Sequence, residues 1–456
     1  MKSTSTHPFV AALETMYSSY GGEWPPRGSF EDWPESFSVY QEIADEMPTK
    51  MAEFHDVQKF RAWLRQELDT KVDFAEVMRD LDDHLSHDDA ILLGFAAPLS
   101  FLANAYRWGT VPTTEVERNR THLEFPEQLW TPFEKINDFY GLVQRGNTFT
   151  LNVGNCIYED DVPVDMRFCF NADPHIVQSE KNFFLSFLHM ETTWKPALQM
   201  MADYLTLTES ARESHDNAEQ LLGQRVQLLK GIRKSLVAVS RVFHNYMKDN
   251  VVSVELWADY VQCMPAWNVN GVEGGASGGE SMTFHSLDEF LGTLGKGVIY
   301  QGGMKKRLGT PQLYRDCMEA LAGESRSYRF DSFLDLPKDS DPLQKAKDDL
   351  ISMLYTWRLH HTKVAPRYLE NSRMTSGGSV DRVKDSEETL AMRGERELRE
   401  RARETAEYIT QERKPKSMRS QEQATIHSNT HLLNSVRSKS VEAISHIVGK
   451  LFSWFW

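Results

Sequence analysis

The run from Arg358 to Leu369 carries two adjacent imidazoles, His360 and His361, followed by Arg367 and Tyr368, and Gly377, Gly378 and Ser379 come shortly after. An imidazole on a rigid helix is the kind of axial donor that a haem iron takes, its second ring nitrogen being fixed by a neighbour. The glycines beyond it have the composition of a flexible lid. Upstream, Gly274, Gly275, Ser277, Gly278 and Gly279 form a second glycine-rich stretch. Glycine lets a backbone approach a bound group closely. Each piece also has an ordinary reading, since a single helical histidine is more often a packed residue than a ligand, and Gly and Ser clusters mark connectors.

A third piece is the run from Asn182 to Glu191, with Phe183, Phe184 and Phe187. As bare pattern it is an apolar core helix; as chemistry it is a wall for an aromatic ligand, where each ring pair contributes about 0.5–1.5 kcal/mol. The acidic cluster from Asp82 to Asp89, with His84 and His87, has metal-capable types but reads first as a solvated helix end. No phosphate-binding loop or HExxH zinc motif is present in the sequence. Four cysteines (Cys156, Cys169, Cys263, Cys317) without a CxxC pair support neither a zinc site nor a disulfide framework, and suggest a reducing compartment.

The elements that must position these residues are helical. Leu222, Val226, Leu229, Ile232, Leu236, Val239 and Phe243 recur at steps of three or four and predict a long strut, with Thr206 and Glu209 as a capping box at its start. A further helix is expected from Pro342 to Leu369, with Pro366 accommodated near its end. Ser286 and Glu289 form a second candidate capping box. Ile91 to Tyr106 is a long apolar segment, and Phe60, Trp63 and Leu64 share a helical face. Residues 1–50, rich in Gly, Pro and aromatics, read as an irregular wrap with short helical pieces. The one strand signal is Phe149–Val153.

The chain has 456 residues and a net charge of −15, which argues against a nucleic-acid partner because phosphate neutralisation needs a basic face. Residues 393–456 reverse the balance, with 12 Lys or Arg against 8 Asp or Glu. Within them, the stretch 441–456 places Ile444, Ile447, Val448, Leu451, Phe452, Phe455 and Trp456 on one helical face. That face suits a peripheral membrane or protein contact, or packing back on the body. The N-terminus lacks an apolar leader core and no run of about 18 apolar residues occurs, so a cytoplasmic protein is expected. The division expected is 1–150, an N-terminal helical subdomain; 151–382, a large helical domain; and 383–456, a basic tail.

The Phe helix, the Gly–Ser loop and the His361 helix, in this order, resemble the indoleamine 2,3-dioxygenase superfamily over roughly residues 85–380. The Arg358-x-x-His361 frame with Arg367-Tyr368 resembles the family's proximal-ligand motif, and Ser277 and Gly278 match its distal Gly–Ser loop. The resemblance implies an all-α fold, with a large domain holding haem b and a small N-terminal helical subdomain. It implies His361 as the iron ligand, Ser277 and Gly278 as haem contacts, and Phe183, Phe184, Phe187, Trp257, Gly377 and Gly378 around substrate. The activity implied is insertion of both atoms of dioxygen across the C2–C3 bond of an indole in tryptophan metabolism, with a reductant keeping iron ferrous and no protein base.

One position departs from the family. Where its enzymes carry an arginine for the amino-acid carboxylate, this chain has Val261 after Trp257 and Tyr260, with Arg241 or Lys248 as the nearest replacements. A charge-assisted pair of that kind is worth about 1.5–3 kcal/mol. Its loss favours, as an alternative, a haem-dependent tailoring enzyme acting on a modified tryptophan or another aromatic amine in secondary metabolism, as in the related monodechloroaminopyrrolnitrin synthases. A non-catalytic haem sensor or helical scaffold is the alternative of another class.

Overall fold

The computed structural model describes residues 7–87, 90–213, 217–272, 274–293, 308–337 and 340–369, and parts of a helical segment at 396, 399–400 and 402–408. Gly377, Gly378 and the stretch 441–456 lie outside the described residues. Among the described residues the fold is all-α apart from one two-stranded sheet.

The first half is built from helices whose starts are written in short polar side chains. Helix α1 (Pro8–Ser19) begins at His7, whose Nδ1 accepts the Phe9 N–H at 3.1 Å, with Pro8 in the first helical position. After a loop carrying Trp24 and Pro25 comes α2 (Glu35–Phe54), which stops at His55 in the left-handed region, φ 48°. Asp56 and Asp73 cap α3 (Val57–Lys71) and α4 (Phe74–Leu85) by accepting backbone N–H groups. Helix α5 (Ala90–Trp108) is long and apolar enough to cross a membrane by length and composition, but it is buried along nearly its whole length among α2, α3, α4 and α7. An all-round apolar helix is stable in such a place because every face meets a neighbour. Short α6 (Glu115–Arg118) and α7 (Glu127–Phe139) close this layer. The wrap does not stay with its own half, since α1 packs on the later helix Gln312–Ala322 and His7 Nε2 meets Ser325 Oγ at 2.8 Å.

The strand expected at Phe149–Val153 is instead a π-helical turn with all five residues buried. The pairing lies just beyond, where β1 (Cys156–Glu159) and β2 (Val162–Met166) run antiparallel around Asp160 and Asp161, both at positive φ (46° and 68°). That two-residue turn matches the twist of a hairpin. A five-residue piece packed on α5 has no ladder partner, so its backbone closes locally.

Helix α8 (Pro174–Glu213) starts on Asp173, whose Oδ1 accepts the N–H groups of His175 and Ile176. It packs along α9 (Ala218–Tyr246), which in turn packs on α12. All seven residues of the predicted α9 stripe are buried. Thr206 does not cap α9: it lies inside α8, its Oγ1 bonded back to Ala202 O. Ser286 likewise does not cap, because α10 (Met282–Leu291) already starts at Ser281 and Ser286 Oγ accepts the Trp194 indole N–H at 2.9 Å. A Ser/Thr-x-x-Glu pattern marks a start only where the chain outside it is non-helical. Then come α11 (Gln312–Ala322) and α12 (Pro342–Leu369), the latter with the bounds expected and Pro366 in its last turn. The described part of the tail packs on the body: Ala402, Thr405 and Ala406 are buried, and Tyr408 Oη donates to Leu291 O at 3.0 Å.

Candidate functional site

His361 projects from the last third of α12, half-buried. Its ring stacks on Trp357 one turn earlier (5.0 Å, 20°) and meets Phe243 of α9 edge-on (5.5 Å, 76°). Trp357 in turn stacks on Phe284 of α10 at 3.8 Å. His361 therefore belongs to the face of α12 that looks toward the helix following the Gly–Ser loop. His360 also meets Phe243 edge-on (5.9 Å, 87°) and lies 5.5 Å from His244, its pKa lowered by burial and then by His244. Both histidines thus pack on Phe243 of α9, His361 adding the Trp357 stack and His360 the His244 contact.

Arg358, on the same side as His361, is buried and bonds Asp288 of α10 through one nitrogen to both carboxylate oxygens, at 2.6 and 2.7 Å. Its other nitrogen donates to Thr405 of the tail. The ion pair and the Trp357–Phe284 stack fasten α12 to α10, the helix that follows the Gly–Ser loop. Tyr368, at the end of α12, donates to Val252 O at 2.9 Å and holds the segment before the second π-turn.

A second aromatic group comes from α8. Phe183 stacks on Trp257 at 3.6 Å and meets Phe187 at 5.1 Å. Phe184 is turned into the core, 1% exposed. Phe187 reaches the Gly–Ser loop: a Cβ added at Gly278 would lie 3.0 Å from Phe187 Cε1, so a larger residue there would push on this ring. Ser277 caps the turn Gly278–Glu280, its Oγ accepting the Gly279 N–H at 3.2 Å. Trp257 and Val261 lie on a second π-helical turn, Trp257–Val261. Such turns re-aim side chains by one inserted residue and recur at functional sites.

Of the sequence-derived residues, Ser277, Gly278, Phe183, Phe187 and Trp257 come together; Gly377 and Gly378 lie outside the described residues. Val261 is fully buried, and Arg241 and Lys248 both face solvent. Among the described residues of the acidic cluster, His84 packs on Phe37 and Asp82 pairs with Lys135.

Sequence reasoning missed a chamber behind Phe187. Its volume is about 40 Å³, and it is lined by Trp24, Asn152, Phe187, Glu191, Ser277 and Glu280 among others. Glu191 Oε1 accepts Ser281 Oγ and the Thr283 N–H, and Oε2 takes a long bond from Trp24 Nε1 at 3.4 Å. Burial raises its pKa, against the lowering effect of these bonds. Glu280 Oε2 accepts the Thr148 N–H and Oγ1 at 2.7 and 2.6 Å. The signal for Glu191 was its place one turn after Phe187, on the same face.

No protein-family model matches the chain, and no curated protein matches it.

Proposed function

We propose that the chain is a haem-dependent oxygenase acting on an indole-type substrate, with His361 as the axial donor to haem b. The observation that carries this reading is the pair of ties between α10 and α12, Arg358–Asp288 and Trp357–Phe284. They join α10, which follows the Gly–Ser loop, to the helix that carries the candidate ligand, and Gly278 of that loop lies against Phe187 of α8.

The residue types suit a haem. One nitrogen donor on a long helix is enough, its ring held by stacking. The Trp357 indole N–H is buried with no acceptor, a donor that would suit a haem carboxylate, as would Ser277. The 40 Å³ chamber is far smaller than a porphyrin and no residue of α12 lines it, so a haem on His361 requires room opened beside α12 itself. When bound, the haem would supply ferrous iron for dioxygen chemistry at the indole C2–C3 bond, with a separate reductant returning oxidised iron to the ferrous state.

The chain's own residues bind and orient. Phe183, Phe187 and Trp257 offer ring faces to an indole and exclude water, and none of them can take a proton, which agrees with chemistry that needs no protein base. Val261 at a fully buried position, with Arg241 and Lys248 in solvent, favours a substrate without a free carboxylate: an aromatic amine or a modified tryptophan.

The test is the product. Haem-loaded, ferrous protein is incubated under ¹⁸O₂ with tryptamine, L-tryptophan and ring-substituted tryptophans, and products are read by mass spectrometry. Two labelled atoms in one ring-opened product support the dioxygenase reading; one atom supports the tailoring reading. Absence of any labelled product from every indole contradicts both.

A further inference from the structure

We propose that the chamber behind Phe187 is an ammonium-binding subsite, which takes the primary amine of an arylethylamine while the ring lies against the α8 wall. The inference deepens the reading above and rests on Phe187 and Ser277, which belong both to that wall and to the chamber.

The chamber is lined with acceptors. Glu191 and Glu280 both face it, and no Lys, Arg or His is among its lining residues. Asn152, on the first π-turn, is 2% exposed, and its Oδ1 has no hydrogen-bond partner. A buried orphan acceptor costs about 1–3 kcal/mol, which a bound donor recovers. An ammonium group has three donors and no acceptor, the complement of this set. Trp24 and Phe187 add ring faces of the kind that attract cations. At about 40 Å³ the space holds an ammonium or one or two waters, and excludes an indole ring. A carboxylate on the same carbon would meet two acids and gain no cation, so the chamber discriminates against free amino acids as well as for amines.

The test compares tryptamine with 3-ethylindole, its isostere without the amine, and with L-tryptophan, by calorimetry on the full-length protein with and without added haem. Tryptamine is expected to bind about tenfold or more tighter than 3-ethylindole, the worth of one charge-assisted contact. Glu191→Gln should remove most of that preference and leave 3-ethylindole unchanged. Asn152→Ala, checked for an unaltered melt, should lower it as well. Equal affinities for tryptamine and 3-ethylindole overturn the proposal, as does failure of tryptamine to bind, or a Glu191→Gln protein that keeps the full preference. The Soret band is read separately. Amine preference without haem uptake upholds the subsite while the haem reading fails, and haem uptake without amine preference overturns the subsite alone.

Discussion

Arg358 holds Asp288 at 2.6 and 2.7 Å across the gap between α12 and α10, with both side chains at most 10% exposed. Because His361 follows Arg358 by less than one turn, this buried pair sets the position of the proposed ligand relative to α10, the helix after the Ser277 loop. Thr293 Oγ1 adds a bond to Asp288 Oδ1 at 2.6 Å and fixes the carboxylate itself. Position at the site is thus bought with a desolvated charge, which is tolerable only while both partners remain.

Asp288→Asn is therefore expected to cost about 3–5 kcal/mol, the usual effect of leaving one buried charge alone. The double replacement Asp288→Leu with Arg358→Met should cost less than the single one. Denaturant unfolding of the three proteins checks this; a single variant within about 1 kcal/mol of wild type would show that the pair is not what holds α10 to α12.

Glu180 predicts a pH dependence. Its carboxyl is fully buried, accepting the N–H of Phe170 and the amide of Asn171, and burial raises its pKa from 4.5 to about 7. The folded protein thus keeps a proton that the unfolded chain loses between 4.5 and about 7, so this group's stabilisation is full below 4.5 and is lost as pH rises to about 7. Glu180→Gln should flatten that decline and be the more stable protein at pH 8, by about 3 kcal/mol at one pKa unit per about 1.4 kcal/mol. Parallel stability–pH curves for the two proteins would contradict it.

The tail gives a third prediction. Its charge balance suggests a separable segment from 393 onward, yet Ala402, Thr405 and Ala406 are buried and Arg358 uses Thr405 as a partner. A chain ended at residue 410 should melt with the full-length protein, whereas one ended at 392 should melt lower, having lost a bond to a buried charge worth about 1.5–3 kcal/mol. Equal melting of all three would mean that residues 402–408 add nothing to the body.

What was legible in the sequence followed from periodicity sustained over many turns. The α9 stripe and the bounds of α12 could be read because a long apolar face has one helical solution. Phe149–Val153 could not, because five alternating residues satisfy a strand as well as a tight helical turn, and burial against α5 decided between them. Asp160–Asp161 was the better hairpin signal, two residues that tolerate positive φ. Thr206 and Ser286 misled because a cap is defined by the chain before it. The site was legible in part: Phe187, Ser277, Gly278 and His361 stand out by type, but Glu191 and Asn152 line one chamber only through tertiary contacts among five distant segments.

The central claim is that His361 carries haem, and the most direct measurement is a pyridine haemochromogen assay with a Soret spectrum on wild type, His361→Ala and His360→Ala. The account predicts about one haem per chain in wild type and in His360→Ala, and loss of haem in His361→Ala, because the iron then has no protein donor. A wild-type protein that takes up no haem, or a His361→Ala protein with an unchanged Soret band, would contradict it.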